Sequence, residues 1–378
     1  MEQLSTRLGR LQVAWISFAL AHGLYWVGAL NWVLSWPSLA YVWTLPTLMV
    51  LGVLFSWVLE SLLDGGRVNP EGKALLITGC DSGFGHMLAQ RLASKGYTVF
   101  AGCLFPTAEG AKTLAQNNDI VVLPMDVTSD ESVSHAMERL EQGLGERNKE
   151  LWAVVANAGI SGGFCPVEWC SMERVRQVFD VNTFGVLRTT TAALPFLRKT
   201  NGRVIITSSM GGSTSWPGIL PYCMSKAAVK QLAEGLHREM ASFGIHCASV
   251  EPSFYRTPII ENADESYHRE RLAAMPQRVR DDYEPLLKAV AAQPGIIRAV
   301  ASPHLNQPLD VFEHAVTSLR PRRSYLVMDS WLKVGAGLSS LYLPIEHRDI
   351  ALSLTAKSKY TRWLTTLACR MGYCGKDK

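Results

Sequence analysis

The most informative stretch of this sequence, residues 74–85, reads Ala74-Leu-Leu-Ile-Thr78-Gly79-Cys-Asp-Ser-Gly83-Phe-Gly85. The apolar run before Gly79 predicts a short buried strand, and the glycines predict a tight turn that opens a helix extending to Ser94. Small residues at such a turn let the backbone approach a pyrophosphate, whose negative charge the helix N-terminus favours. The stretch therefore predicts a dinucleotide-binding turn. Its candidate contact residues are Thr78, Gly79, Ser82, Gly83, Phe84 and Gly85.

Apolar runs and helix-length segments alternate beyond this turn. Further strands are predicted at residues 97–101, 120–123, 152–156, 204–207 and 246–250, with helices at 129–144 and 222–243. The runs are continuously apolar, as strands buried on both faces require. We therefore predict an α/β fold with a doubly wound parallel sheet of the Rossmann type. Residues 261–305 are predicted to form helices and loops, and 325–328 a last strand.

The amino-terminal region has a different composition. Residues 11–59 contain no Asp, Glu, Lys or Arg and hold six of the eleven tryptophans. Residues 11–35 and 39–59 are each long enough to cross a bilayer, and Pro37 favours a turn between them. We predict a transmembrane helical hairpin; one span followed by an interfacial helix is the alternative. The segment has neither the cleavage site of a signal peptide nor the arginines of a transit peptide.

The charged residues that flank the apolar region bear on orientation. Arg7 and Arg10 precede the first span, which favours a cytoplasmic amino terminus. Two crossings would return the chain to the cytosol, whereas one crossing would leave the rest in the lumen. We predict an anchor at residues 1–64, a globular domain at 65–345 and a carboxyl-terminal tail at 346–378, for which membrane association is one interpretation.

Charge and cysteine content exclude some classes of function. The net charge is +4, and no basic run suggests a nucleic-acid partner. The eight cysteines are scattered without the spacing of a zinc site, so no metal is predicted. We interpret them as free thiols in a reducing compartment.

Three motifs carry a family resemblance. They are Thr78-Gly79-x-x-x-Gly83-x-Gly85, Asn157-Ala158-Gly159 after the fourth strand, and Tyr222-x-x-x-Lys226. In this order and spacing they resemble the short-chain dehydrogenase/reductase family, from about residue 73 to residue 252. The resemblance implies an alcohol dehydrogenase that uses NAD or NADP.

Tyr222 and Lys226 are four residues apart, so a helix places them on one face. A phenol has a pKa of about 10, and a nearby ammonium lowers that pKa by stabilising the phenolate. Tyr222 could then take the proton of an alcohol while hydride leaves for the nicotinamide. The resemblance implies that Lys226 also holds the nicotinamide ribose and that Ser209, thirteen residues before Tyr222, orients the substrate oxygen.

The resemblance implies roles for five further residues. Asn182 would support a proton-relay water, although a helix-terminating role is equally compatible with the sequence. Asp126, with Val127 beside it, would contact the adenine; a turn-forming aspartate is the alternative. Thr257 would contact the carboxamide, and Asn157 would hold the sheet beside the cofactor. Ser253 stands where the family often has glycine.

Cofactor choice depends on the end of the second strand, where an acid favours NAD and a base favours NADP. Residues 101–104 read Ala-Gly-Cys-Leu and contain neither. Without a cation for a 2′-phosphate, NAD is predicted, and NADP stays open.

The substrate prediction also follows from resemblance. The glycine turn and residues 99–104 resemble a branch containing 11β- and 17β-hydroxysteroid dehydrogenases of type 2, retinol dehydrogenases and 3-hydroxybutyrate dehydrogenase. We therefore expect interconversion of a hydroxyl and a ketone or aldehyde on a lipophilic steroid or retinoid, in a pocket built from about residue 253 onward. The alternatives are 3-hydroxybutyrate oxidation and a catalytically silent NAD-binding or scaffold protein. Homodimerisation and the endoplasmic reticulum membrane, with the mitochondrial membrane as alternative, are further expectations.

Overall fold

The computed structural model describes residues 66–329 except 262–264 and 285–286, together with Leu51, Gly52 and Phe55. Those three residues apart, the predicted anchor lies outside the described residues, as does the predicted tail at 346–378. None of the described helices combines the length and the hydropathy needed to cross a membrane. The helical hairpin therefore stays a prediction.

The described chain contains a parallel seven-stranded sheet with the order β3-β2-β1-β4-β5-β6-β7. The strands are β1 (Lys73–Thr78), β2 (Thr98–Cys103), β3 (Ile120–Pro124), β4 (Glu150–Ala156), β5 (Arg203–Thr207), β6 (His246–Pro252) and β7 (Ser324–Val327). The strand order reverses between β1 and β4, so a crevice forms at their carboxyl ends. The predicted Rossmann-type sheet is confirmed.

The connections between strands are helical. The helices are α1 (Gly83–Ala93), α2 (Glu109–Ala115), α3 (Asp130–Glu146), α4 (Met172–Phe179), α5 (Gly185–Thr200), α6 (Leu220–Glu239), α7 (Pro258–Glu261), α8 (Glu265–Ala274), α9 (Gln277–Tyr283), α10 (Leu287–Val300) and α11 (Asn306–Thr317). Local sequence sets where several of them begin. The Ser129 hydroxyl accepts the N–H of Ser132 and caps α3, and Pro221 occupies the first turn of α6.

Both faces of the sheet are covered by apolar side chains. Leu75 and Ile77 of β1 pack into a buried cluster with residues of α1 and α11, whereas Leu76 packs into another with residues of α3, α5 and α6. Burying one such side chain stabilises the fold by about 1.5–3 kcal/mol. The continuous apolar runs of the sequence follow directly from this two-sided cover.

Residues 66–68 and 317–321 belong to a separate compact unit. Within it, the N–H of Val68 donates to the carbonyl of Thr317 at 2.7 Å, and that of Leu319 donates to Gly66 at 3.1 Å. An antiparallel bridge joins Arg67 and Ser318. These contacts pair the two short segments of the unit.

Candidate active site

A cleft of about 480 Å³ lies over the strand ends where the order reverses. Most of the residues predicted to form the site contribute to its lining. These are Gly79, Ser82, Gly83, Phe84, Asp126, Val127, Asn157, Ala158, Gly159, Ser209, Tyr222, Lys226 and Thr257. The other three candidates, Thr78, Gly85 and Asn182, do not line the cleft.

The glycine turn between β1 and α1 has no room for side chains. Gly79 has a φ of 68°, and a Cβ on this residue would lie 2.8 Å from the Cα of Ala158. A Cβ on Gly85 would lie 2.3 Å from the carbonyl oxygen of Gly79. Both positions require glycine, one for its backbone angle and close contact and the other for its packing. The turn leaves the N-terminus of α1 beside the cleft, where its N–H groups can receive an anion.

Thr78 and Asn157 tie β1 to β4 beneath the cleft. The hydroxyl of Thr78 accepts the N–H groups of Asn157 and Ala158, each at 3.0 Å. In return, the side-chain amide of Asn157 donates to the carbonyls of Thr78 at 3.0 Å and Gly79 at 3.3 Å. The reciprocal bonds agree with the sheet-holding role expected of Asn157.

Tyr222, Ser209 and Lys226 meet on one wall of the cleft. Tyr222 lies in the first turn of α6, and its side chain is hydrogen-bonded to that of Ser209, which follows β5. The Ser209 hydroxyl also accepts the N–H of Gly211 at 3.0 Å. One helical turn after Tyr222, the Nζ of Lys226 lies 5.7 Å from the centre of the tyrosine ring. The three side chains predicted to be catalytic therefore lie together on this wall.

Burial determines the acidity of these groups. Burial raises the pKa of Tyr222 to about 12, although the hydrogen bond with Ser209 opposes the rise. Burial also lowers the pKa of Lys226 to about 8. In the protein alone, desolvation of the phenolate outweighs the stabilisation expected from Lys226, so the prediction that the pKa of Tyr222 lies below the ordinary phenol value is wrong. The ammonium donates to the carbonyl of Thr207 at 2.8 Å. With its raised pKa, the phenol of Tyr222 is neutral near pH 7.

Asn182 lies behind the wall and connects two of its segments. It is fully buried in a single π-helical turn, Asp180–Phe184, that joins α4 to α5. Its side chain accepts the N–H of Ile160 at 2.8 Å, and donates to the Ile160 carbonyl at 2.9 Å and the Ser225 hydroxyl at 3.0 Å. Since the helix continues through this turn, Asn182 does not terminate it. The relay role of Asn182 stays a prediction.

Asp126 and Thr257 lie at other points of the cleft. One oxygen of the Asp126 carboxylate accepts the N–H and the hydroxyl of Thr128, at 2.9 and 2.7 Å. The turn-forming role is therefore present, and the adenine contact stays a prediction. Thr257 is buried, and a Cβ on Gly83 would lie 3.9 Å from its Cβ. Thr257 thus faces the glycine turn.

Comparison with known proteins identifies the family. The sequence profile described as short chain dehydrogenase matches residues 73–268. The chain belongs to this family. Retinol dehydrogenase 5 of Mus musculus is 34% identical over 310 residues, which cover 81% of this chain and 95% of the relative. The mitochondrial D-beta-hydroxybutyrate dehydrogenase of Mus musculus is 35% identical over 279 residues, covering 70% and 80%.

Both names fall within the branch that the sequence resembles, and the predicted assignment to a short-chain alcohol dehydrogenase is confirmed. Among solved structures, a short chain dehydrogenase/reductase from Burkholderia phymatum in complex with NAD matches with a TM-score of 0.59 and 23% identity. The match covers 76% of this chain and 96% of that one. At this identity the likeness concerns the fold.

The short-chain dehydrogenase holds an acid in its cleft that sequence reasoning missed. Asp81 lies within the glycine turn, and its two carboxylate oxygens accept the N–H groups of Leu104 at 3.0 Å and Phe105 at 2.7 Å. Both N–H groups follow the end of β2. Asp81 is visible in the sequence as an acid inside the glycine motif. The cofactor prediction rested only on residues 101–104 at the end of β2, so it did not include Asp81.

An apolar cluster beside Tyr222 was anticipated only in part. Phe254 and Ile297 fall in the region from about residue 253 onward that was predicted to form the pocket, whereas the other members precede it. Phe164, Ile219 and Cys223 form a buried cluster beside Tyr222, and the partly buried side chains of Trp216, Phe254 and Ile297 pack against it. The rings of Trp216 and Phe254 meet edge to face, with centres 5.5 Å apart. These residues come from separate loops and helices, so no local pattern in the sequence groups them.

Proposed function

We propose that this short-chain dehydrogenase uses NAD to interconvert a hydroxyl and a ketone or aldehyde on a lipophilic steroid or retinoid, with Tyr222 as general acid/base. The observation that carries the proposal is the meeting of Tyr222, Ser209 and Lys226 in a cleft whose substrate end is aromatic and aliphatic. Bound NAD would supply the hydride acceptor. The residues present fit that cofactor, since the glycine turn leaves room for a pyrophosphate beside α1.

The proton moves at the hydroxyl of Tyr222. During reduction, the neutral phenol donates its proton to the developing alkoxide; during oxidation, the phenolate takes the proton of the alcohol. The Ser209 hydroxyl, already bonded to Tyr222, can bond the same substrate oxygen and fix its position. The Lys226 ammonium stabilises the phenolate by its charge. An intact set of these residues argues against a catalytically silent scaffold.

The charges of the cleft support an uncharged substrate. Among the described lining residues, the charged ones are Asp81, Asp126 and Lys226, and the ammonium of Lys226 already donates to Thr207. A carboxylate in an apolar site needs a paired cation. The 35% identity to a D-beta-hydroxybutyrate dehydrogenase favours 3-hydroxybutyrate as a second candidate. The described lining offers the carboxylate of 3-hydroxybutyrate no further cation, so we rank 3-hydroxybutyrate below a lipophilic substrate.

Asp81 supports NAD over NADP. Its carboxylate is held at the end of β2 by two backbone N–H groups, close to where an acid selects NAD in this fold. A 2′-phosphate placed there would meet a negative charge, and the described lining holds no arginine to offset it. In this proposal, Asp81 of the first turn supplies the acid that residues 101–104 at the end of β2 lack.

We also propose that residues 1–64 anchor the enzyme in the endoplasmic reticulum membrane with the catalytic domain in the cytosol; the mitochondrial membrane is the alternative. The charge-free segment 11–59 supports an anchor. A homodimer is supported by large apolar side chains that are exposed around α5 and on α6, namely Phe184, Leu187 and Met224. The domain limits 65–345 and 346–378 belong to the same proposal.

The test is a substrate screen of the full chain in membranes, with steroids, retinoids and 3-hydroxybutyrate offered with NAD or NADP. We expect NADH formation with a steroid or a retinoid. Removal of the Tyr222 hydroxyl in Tyr222→Phe should lower kcat about 10²–10⁴-fold, the usual contribution of general acid–base catalysis. Turnover of 3-hydroxybutyrate alone would overturn the substrate proposal. Equal activity of Tyr222→Phe would overturn the mechanism.

A further inference from the structure

Two cysteines lie close together next to the apolar cluster beside Tyr222. Cys165 follows Phe164, a member of the cluster beside Tyr222, and Cys170 follows the short 3-10 turn Val167–Trp169. Within this turn, the N–H of Trp169 donates to Pro166 at 2.9 Å and that of Cys170 donates to Val167 at 3.1 Å. The reversal of the chain brings the two Sγ atoms to 2.9 Å.

The separation is suited to bond formation. Sulfur atoms in a disulfide lie about 2.05 Å apart, so these two need to approach by less than about 1 Å. All cysteines of the described residues are free thiols. The backbone turn therefore already holds Cys165 and Cys170 in a near-bonded arrangement without the bond.

The surroundings make one thiol of the pair the more reactive. The hydrogen bond with Cys165 lowers the pKa of Cys170, burial opposes it, and the positive charge of Arg271 lowers it further. Arg271 is fixed nearby because its Nε donates to the carbonyl of Trp169 at 2.7 Å. Cys170 is partly exposed, whereas Cys165 is buried. By contrast, burial raises the pKa of the other described cysteines, Cys80, Cys103, Cys223 and Cys247.

We propose that Cys165 and Cys170 form a reversible oxidation site that takes a peroxide. The Cys170 thiolate attacks one peroxide oxygen, the O–O bond breaks, and the leaving hydroxide takes up a proton to become water. The sulfenic acid on Cys170 is then attacked by the sulfur of Cys165. The S–S bond forms, the S–O bond breaks, and the hydroxyl leaves with the Cys165 proton as a second water. Two thiols are oxidised and one peroxide is reduced.

The position of the pair links this site to the cleft. The N–H of Cys165 donates to the carbonyl of Gly218, next to Ile219 in the cluster beside Tyr222. On the other side, Ser171 caps α4 by accepting the N–H of Arg174 at 3.2 Å, and α4 leads into the turn that holds Asn182. A Cys165–Cys170 bond therefore fixes the segment between the apolar cluster beside Tyr222 and α4. The site itself does not depend on the proposed catalytic activity.

The experiment is hydrogen peroxide treatment of the detergent-solubilised full chain, followed by alkylation of the remaining thiols and mapping under non-reducing conditions. A protease that cleaves after glutamate cuts at Glu168 and separates the two cysteines unless they are bonded. We expect a linked Cys165–Cys170 peptide pair that dithiothreitol separates. The link should be absent from Cys165→Ser and Cys170→Ser but present in the matched control Cys247→Ser, which alters a buried cysteine of β6.

The variants also test the order of attack. In Cys165→Ser, the sulfenic acid of Cys170 should persist and react with dimedone. Recovery of both cysteines in alkylated form from peroxide-treated wild type would overturn the proposal. So would accumulation of sulfinic or sulfonic acid on Cys170 in place of the linked pair. Dimedone labelling of Cys165 in Cys170→Ser, with none of Cys170 in Cys165→Ser, would overturn the assignment of Cys170 as the attacking residue.

Discussion

Burial and the hydrogen bond with Ser209 shift the pKa of the Tyr222 phenol in opposite directions: burial raises it and the hydrogen bond lowers it. Desolvation dominates and keeps the proton on the oxygen. The same hydrogen bond becomes stronger when the oxygen is charged, since bonds to charged groups contribute about 1.5–3 kcal/mol. Ser209 therefore matters most when the phenolate or alkoxide forms.

Replacing Ser209 by alanine tests this role. We expect Ser209→Ala to lower kcat by about 10–100-fold, from the loss of one bond to a charged oxygen. The affinity for NAD should change little, because the hydroxyl is assigned to the substrate oxygen. Steady-state kinetics with a NAD titration separate the two parameters. A loss confined to NAD binding would contradict the assignment.

Lys226 links stability to pH. Its folded pKa of about 8 lies below the unfolded value of about 10.4, so between these values the unfolded chain binds more protons. The contribution of Lys226 to the free energy of unfolding therefore rises as the pH increases from about 8 to about 10.4, and it is lost as the pH falls through the same window. We expect the wild type to gain up to about 3 kcal/mol relative to Lys226→Met between these pH values. Thermal unfolding of both proteins at several pH values measures the difference between their free energies of unfolding. A difference that does not change with pH would contradict the prediction.

Asp81 gives a prediction for cofactor choice. Asp81→Asn keeps the size of the side chain and removes the charge, so the ratio of NADP affinity to NAD affinity should rise about tenfold, or about 1.4 kcal/mol. Loss of the loop contacts alone would weaken both cofactors equally. Direct binding titrations with NADH and NADPH measure the ratio. Asp119→Asn, at an exposed acid just before β3, is the control and should leave the ratio unchanged.

At the scale of elements, the glycine turn is set by packing. A methyl group on Gly85 would collide with the carbonyl oxygen of Gly79. We expect Gly85→Ala to cost about 1–3 kcal/mol of stability, as overpacking does, and to weaken NAD binding. Gly235→Ala in α6 is the matched control, because nothing lies within 4 Å of its added methyl group. That control should raise stability by up to about 1 kcal/mol through helix propensity. Denaturant unfolding compares the two, and equal effects would contradict the packing argument.

The sequence predicted elements whose patterns are local. The strands and α6 follow continuous apolar runs and a helix-length segment, so their positions were found to within a few residues. The helix α5 was not assigned, since Pro195 lies inside it and its threonines are weak helix formers. In the fold, the hydroxyls of Thr189 and Thr190 donate back to the carbonyls four residues earlier, each at 2.8 Å. Val186, Leu194 and Leu197 of this helix are buried in the core, so tertiary packing overrides propensity here.

The candidate site likewise contains residues that the sequence located and residues that only the fold brings together. Tyr222 and Lys226 are neighbours on one helical face, so sequence spacing alone located them. Asp81 contacts the segment after β2, and Phe254 meets Trp216, across long separations in the chain. Such pairings depend on how the strands are ordered in the sheet, which periodicity does not encode.

At the scale of the whole molecule, the proposed anchor and the apolar substrate end suit the same kind of substrate. A bilayer concentrates a sparingly soluble alcohol, and the anchor would keep the cleft within its reach. A small hydroxy acid would gain nothing from this arrangement.

Membrane topology gives a test at this scale. If residues 11–59 cross the bilayer twice, tags at the amino terminus and in the catalytic domain should both be digested by protease added to intact microsomes. A single crossing would protect the domain. Carbonate-washed membranes should retain the full chain in either case. Release of the chain by carbonate would contradict the membrane anchor.

The position of β1 inside the sheet, between β2 and β4, also affects synthesis on the ribosome. The chain emerges with β1, β2 and β3 first, and these can pair before β4 exists. Until β4 arrives, one edge of β1 presents unpaired backbone groups and the fully buried side chains of Leu75 and Leu76. An unpaired, apolar strand edge is a site of aggregation. A nascent chain that stalls before residue 150 would therefore need a chaperone to cover this edge.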